Sequence, residues 1–181
     1  MNSSDQNEFL AALALAMVER PRASLQELAK AVGVSKATLY RFSRTRESLI
    51  ELLTEHSANV LVEVTLAAKS ESLSPLEALR EMTARYMEHR ELSSFLLYYW
   101  RDEAMNSKVL AEWHAQIDAF FLRGQQAGVF RIDIPAAALT KVWTFVLIGL
   151  VNGERDGRIA RASLATIAEQ VFLEGIATKS K

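Results

Sequence analysis

Between Ser24 and Arg46 the chain reads SLQELAKAVGVSKATLYRFSRTR, and few folds accommodate that stretch. Ser24 followed three residues later by Glu27 is a capping box, in which hydroxyl and carboxylate each satisfy an orphan backbone N–H of a helix start. Leu25, Leu28 and Ala29 then recur on one helical face. Gly33 ends that helix, because a sharp stop needs a left-handed residue and glycine adopts it without a steric penalty. Val34 turns back towards a core, Ser35 caps a second helix, and Lys36 to Phe42 continues it. Two capped helices joined at a glycine predict a helix-turn-helix, whose second helix enters a DNA major groove.

Charge points the same way. From Arg20 to Arg46 there are seven basic residues and one acid, Glu27, a local charge of +6 on a chain whose formal net charge is −1. A basic module on an acidic remainder suits a surface that meets phosphates. The plainer alternative is a helical hairpin with a solvated basic face; the coincidence of caps, turn and charge argues against it.

Gly33-Val-Ser-Lys-Ala-Thr-Leu-Tyr40, the Arg-rich turn after it and Glu47-Ser-Leu-Ile-Glu-Leu-Leu53 resemble the DNA-binding domain of the TetR family of transcriptional regulators, over roughly residues 8–56. The family usually has an aromatic three residues after the tyrosine; here Ser43 stands in that place and Phe42 one position earlier. The resemblance implies an all-α homodimer, a repressor in the first instance, that binds a palindromic double-stranded operator and releases it on binding a small ligand. It implies a helix-turn-helix head over 1–46 and a ligand-binding and dimerisation body over 47–181, with about nine helices in all. A dimeric helical interaction protein without a small-molecule ligand is the alternative.

Within the head, contacts that position the protein separate from contacts that read bases. Arg22, Ser24, Arg44, Thr45 and Arg46 fall where phosphates would lie, and Tyr40 can offer its hydroxyl to another. Ser35, Lys36, Ala37, Thr38 and Arg41 start the second helix or face outward from it. The lysine and arginine favour guanine, and Ala37 and the Thr38 methyl suit a thymine methyl.

Half of the residues are hydrophobic, with only seven glycines and three prolines, which favours a helical packed core over sheets or disorder. The absence of cysteine excludes disulfides and thiolate metal sites. His89 and His114 lack a third ligand at a recognisable spacing, so neither a metal nor a cofactor is expected. The N-terminus carries no basic region followed by an apolar run, and Leu10–Val18 and Val142–Val151 are short for a bilayer, so a cytoplasmic protein is expected. No phosphate-binding glycine loop or Ser-His-Asp pattern is visible. Asp102, Glu103 and Glu112 read as a solvated face, and no enzyme is expected.

Helical periodicity gives the remaining elements. The first helix is expected over Glu8–Glu19, with Phe9, Ala12, Leu13, Ala16 and Met17 buried. A long helix follows over Arg46–Lys69. Ser74-Pro-Leu-Glu77 starts another, running to Glu91, and a break near Leu92–Ser94 leads to a short helix from Phe95 to Ala104. Lys108 to Gln126 is helical and Gly128 stops it. Phe130–Ile134 is expected to be extended. A helix from Pro135 to Gly153 is apolar almost all round, and Ala162–Ile176 closes the chain.

Of fifteen aromatics, twelve lie at or after Tyr86. Phe95, Tyr98, Tyr99, Trp100, Trp113, Phe120, Phe121 and Trp143, with Asn152 as a polar tip, are candidate walls for an apolar or aromatic ligand; filling of a core is the plainer reading. A helix without a polar face needs cover on two sides. Val146, Gly149, Leu150 and Gly153, with Leu164, Ile167, Val171 and Phe172 of the last helix, are therefore expected in a four-helix dimer interface.

Overall fold

A computed structural model describes residues 3–69, 72–99 and 108–176. The chain is all-α. In order, the described residues form α1 (Ser3–Glu19), α2 (Leu25–Ala31), α3 (Lys36–Phe42), α4 (Arg46–Val64), α5 (Pro75–Glu88), α6 (Arg90–Tyr99), α7 (Lys108–Gln126), α8 (Ala136–Arg155) and α9 (Leu164–Ile176). Short 3-10 segments follow α4 at Thr65–Lys69 and precede α9 at Arg161–Ser163. The described residues divide into two compact units: residues 3–60 with 89–99, and residues 61–69, 72–88 and 108–176.

The first unit holds α1 to α3, most of α4, and α6. Its core is wider than the periodicity of α1 suggests. Leu10, Leu13, Ala14, Met17 and Val18 are buried, Phe9 is half-buried and Ala12 is exposed. The cause is that α1 packs on α2 and also on α6, so two adjoining faces are covered. Leu28 and Leu39 are fully buried, while Val32 and Val34 are half-buried. Each fully buried aliphatic or phenyl side chain contributes about 1.5–3 kcal/mol, so this small set is what holds two seven-residue helices that would be marginal alone.

The turn between α5 and α6 falls at His89, ahead of the break expected near Leu92–Ser94. Ser93 and Ser94 lie inside α6 and are buried. Ser93 Oγ donates back to the His89 carbonyl at 3.2 Å, the local bond by which a serine is tolerated within a helix. Residues 100–104 of the expected short helix lie outside the described residues.

The second unit packs α5, α7, α8 and α9 around two aromatic groups. Trp143 is 1% exposed; its Nε1 donates to Thr83 Oγ1 at 3.2 Å and its ring meets Tyr86 edge-on at 6.0 Å. Phe120, Phe121, Phe130 and Phe172 form the other group, with centroids 5.2–5.8 Å apart in tilted or edge-on pairs, the arrangement the ring quadrupoles favour. Gly124 permits it: a Cβ there would fall 2.2 Å from the Phe130 ring. Gly128, at φ +71°, turns the chain out of α7 as expected.

The segment expected to be extended, Phe130–Ile134, is mostly bends. Arg131 Nε donates to Asp133 Oδ1 at 2.6 Å, and Gln125 Nε2 donates to the carbonyls of Arg131 and Ile134 at 2.8 and 2.7 Å. One side chain binding two carbonyls three residues apart holds the segment curled. At 20 residues α8 is long and apolar enough to cross a membrane by length and composition, a test that a soluble protein's core helix also passes. Its inward stripe of Leu139, Trp143, Leu147 and Val151 is buried in the second unit.

Candidate nucleic-acid interface and body surfaces

The head is built as its caps dictate. Ser24 N–H donates to Glu27 Oε2 at 2.8 Å and Glu27 N–H donates to Ser24 Oγ at 3.3 Å, a complete capping box. The bonds that the Glu27 carboxyl accepts from Ser24 hold it below the ordinary carboxylate range. Gly33 sits at φ +73°, and Val34 N–H reaches back to the Ala29 carbonyl at 2.9 Å. Ser35 Oγ accepts from Thr38 N–H at 3.1 Å and opens α3. Leu39, fully buried, anchors the inner face of α3.

That anchoring sets which side chains look outward. Lys36, Ala37, Tyr40 and Arg41 are exposed, and Thr38 is half-buried with its hydroxyl 2.9 Å from that of Ser35. The Lys36 ammonium lies 5.2 Å from the centre of the Tyr40 ring. This cation–π contact, worth about 0.5–1 kcal/mol at an exposed site, aligns a cation and a phenol on one strip of the helix. Arg22, Ser24, Ser35, Arg44 and Thr45 are also exposed. Thr45 caps α4: its Oγ1 accepts from Ser48 N–H at 3.1 Å.

One position differs from expectation, and a second departs from the family pattern. Arg46, expected at a phosphate, turns inward. Its Nη1 donates to the Ala23 carbonyl at 2.9 Å, and its Nη2 to the Pro21 carbonyl at 2.6 Å and to Tyr99 Oη at 2.8 Å. Three acceptors converge on a planar fork, so the guanidinium is held in the first unit. Tyr99, expected to line a ligand pocket, is thus an Arg46 partner. Burial pushes its phenol above the ordinary value, the nearby Arg46 charge opposing.

The second position is Ser43, where the family usually has an aromatic. Ser43 is buried and ends α3, its Oγ donating to the Thr45 carbonyl at 2.8 Å and sharing a short contact with Ser48 Oγ. Phe42 fills the neighbouring space, its ring 4.9 Å from that of Phe9. Ser48 went unread in the sequence, although Thr45-x-x-Ser48 is a cap-like spacing that could have flagged it.

The candidate ligand walls fall in both compact units. Phe95 is buried and Tyr98 is 48% exposed, both in the first unit. Trp113, Phe120, Phe121 and Trp143 are buried in the second, the two phenylalanines in close ring contact with their neighbours. Asn152 is exposed, and Trp100 lies outside the described residues. A cavity of about 190 Å³ opens between α5 and α9, lined by Leu79, Thr83, Ala84, Ala165, Ala168 and Phe172, with the Arg80 Nε–Glu169 Oε1 ion pair at 2.6 Å among its walls. Among the described residues no three His, Asp or Glu side chains are grouped to hold a metal ion.

The expected interface residues also divide. Gly149 is exposed with open space around it, Val171 is 60% exposed, and Val146, Leu150 and Ile167 are half-buried. Val142 and Phe145, not in the expected set, are 50% and 62% exposed beside them on α8. Leu164 and Phe172 instead point into the second unit, at 2% and 3% exposure, because α9 packs on α5 and α8. Gly153 serves a contact within the chain: a Cβ there would lie 2.6 Å from Ile159 Cδ1. Leu164 and Phe172 are thus covered within the chain, and Ile159 occupies the space beside Gly153.

No family model matches the chain. It is 43% identical over 182 aligned positions to the HTH-type transcriptional regulator NfxB of Pseudomonas aeruginosa, covering 98% of this chain and 97% of that protein. Among solved structures it superposes on PfmR, a TetR family transcriptional regulator of Thermus thermophilus, with a TM-score of 0.66 at 21% identity, covering 95% of this chain and 94% of the other. It also superposes on AibR, solved with isovaleryl coenzyme A and operator DNA, with a TM-score of 0.64 at 20% identity over 92% and 97% of the two chains. At these identities the structural likeness concerns the fold alone.

Proposed function

The chain belongs to the TetR family of helix-turn-helix transcriptional regulators, and from that premise we propose that it is a cytoplasmic repressor. It binds a palindromic operator as a homodimer and leaves it when a small ligand binds. The observation that carries the reading is the outward strip of α3, where Lys36, Tyr40 and Arg41 stand exposed on a helix anchored by Leu39, within a stretch charged +6. Two such helices in a dimer address half-sites about one helical turn, roughly 34–36 Å, apart.

Dimerisation is supported by the apolar strip of Val142, Phe145, Gly149 and Val171, which the described residues leave open. A second copy of the chain supplies a matching surface by symmetry. The ligand is apolar and small, seated between α5 and α9. The cavity there, at about 190 Å³, is below the roughly 300–1,000 Å³ of drug-sized sites, so a larger ligand has to part the two helices. That parting would give the ligand different affinities for two states, without which no release can follow.

The test begins with selection of operator sequences from random DNA by the wild-type chain. The winner is then titrated by fluorescence anisotropy at several salt concentrations, beside Tyr40→Ala. A palindromic winner with a steep salt dependence and weakened binding by the variant is the expected result. No enriched sequence, or binding indifferent to Tyr40, would overturn the reading.

A further inference from the structure

We infer that Arg46 and Tyr99 are positioning residues for DNA binding: together they hold the turn that carries Arg22 and Ser24, without Arg46 itself reaching a phosphate. The inference rests on the operator-binding function proposed above and adds two residues, one of them on α6, to the machinery that serves it.

The geometry is specific. Pro21 and Ala23 flank Arg22, and Ser24 is the cap of α2. The Arg46 fork takes the Pro21 carbonyl at 2.6 Å and the Ala23 carbonyl at 2.9 Å. Fixing the carbonyl before Arg22 and the carbonyl before Ser24 fixes the peptide planes that bracket this turn. It therefore sets the direction in which the Arg22 side chain leaves the backbone and the position from which α2 starts. Arg22 is exposed and borders an open cleft of about 620 Å³, shared with Arg20, Glu27 and Tyr98. A planar fork with several fixed donors suits two carbonyls and a phenol; the point charge of a lysine does not.

Tyr99 fixes the fork in turn. Its Oη accepts from Arg46 Nη2 at 2.8 Å, and its ring is set by Phe95 at 4.6 Å and Tyr98 at 5.1 Å. The guanidinium is thus held between the head turn on one side and the end of α6 on the other, at sequence separations of 25, 23 and 53 residues. Removing the phenol oxygen leaves one N–H of the fork without its partner while the ring packing stays. Arg46 can then swing, and the turn loses its fixed register.

The test uses the full chain and the operator selected by the wild type. Tyr99→Phe and Arg46→Lys are each measured alone, with Arg22→Ala, and with Arg41→Ala as the comparison, and thermal melting is followed by circular dichroism. Tyr99→Phe is expected to weaken operator binding about 3–10-fold and Arg46→Lys about 10–50-fold, the net scale of one or two lost ordinary hydrogen bonds. Arg22→Ala is expected to cost about tenfold in the wild type and under about twofold in Arg46→Lys, since coupled residues are not additive. The salt slope of Arg46→Lys is expected to fall by about one, the signature of a lost phosphate contact. The Arg41→Ala loss stays the same in every background.

A merely structural clamp gives a different pattern. The Arg22→Ala and Arg41→Ala losses would then be unchanged in the variants, and weaker binding would track the fall in melting temperature alone; either result overturns the inference. Tyr99→Phe, which keeps the ring packing, decides the matter if Arg46→Lys does not fold. Wild-type chain that selects no operator would overturn the repressor reading and the positioning role with it. Wild-type binding with unaltered coupling would overturn the positioning role alone.

Discussion

In α3 the side chains facing outward are Lys36, Ala37, Tyr40 and Arg41; in α8 they include Val142 and Phe145, beside the bare backbone of Gly149. Both helices are held by one inward stripe, Leu39 in the first case and Leu139, Trp143, Leu147 and Val151 in the second. The outer faces differ in kind. Charge and phenol call for a phosphate backbone, where affinity follows salt. An open aliphatic and aromatic strip calls for another apolar surface, where salt matters little. Among the described residues the chain thus carries two kinds of outward surface, one charged and one apolar.

The largest expected effect lies beneath the body surface. Phe121→Ala removes a fully buried ring from a four-phenylalanine cluster and is expected to cost about 3–5 kcal/mol in chemical denaturation. An unchanged denaturation midpoint would mean that the cluster is loosely packed. Phe145→Asp, on the open strip of α8, is expected to leave folding intact and weaken self-association by about 2–4 kcal/mol, the range of an interface anchor. Sedimentation at several concentrations and two salt strengths measures it; a monomer–dimer balance indifferent to the change would move the interface elsewhere.

Arg41→Ala is expected to cost about 1–3 kcal/mol of operator affinity and to relax preference at one base pair. Equal losses on every sequence would reassign Arg41 to a phosphate. The smallest effect concerns pH. Glu27 and Glu77 are held below their ordinary value of 4.5 by hydrogen bonds from Ser24 and Ser74. A carboxylate depressed in the folded state contributes stability that is complete above the unfolded value and is lost as pH falls through the folded one. Melting temperature should therefore be insensitive to these two caps from about pH 7 to about pH 5 and should decline with acidification below about 4.5. Glu27→Gln and Glu77→Gln variants that keep the full acid dependence of the wild type would assign it to other groups.

What was legible in the sequence is what short-range bonds settle. The capping boxes at Ser24–Glu27 and Ser74–Glu77 close over three residues. Gly33 and Gly128 take positive φ at the stops foreseen for them, and Ser35 opens α3 through a bond to Thr38. Residue type alone decides such features, since donor, acceptor and permitted backbone angle lie within one helical turn. For the same reason the helix-turn-helix and the family were readable from residue order alone.

Tertiary structure alone decided where long side chains end and which of several apolar residues on a helix face inward. Arg46 looked like a phosphate ligand by position, yet its acceptors lie 23 to 53 residues away. Leu164 and Phe172 carry the same hydrophobic signature as Val171, but the packing of α9 on α5 and α8 buries the first two and leaves the third open. Gly153 and Gly149 share a spacing; Ile159 occupies the space beside one and nothing within the described residues occupies the space beside the other. Periodicity records that a residue is apolar or small, and only the neighbours brought to it by the fold determine what that residue meets.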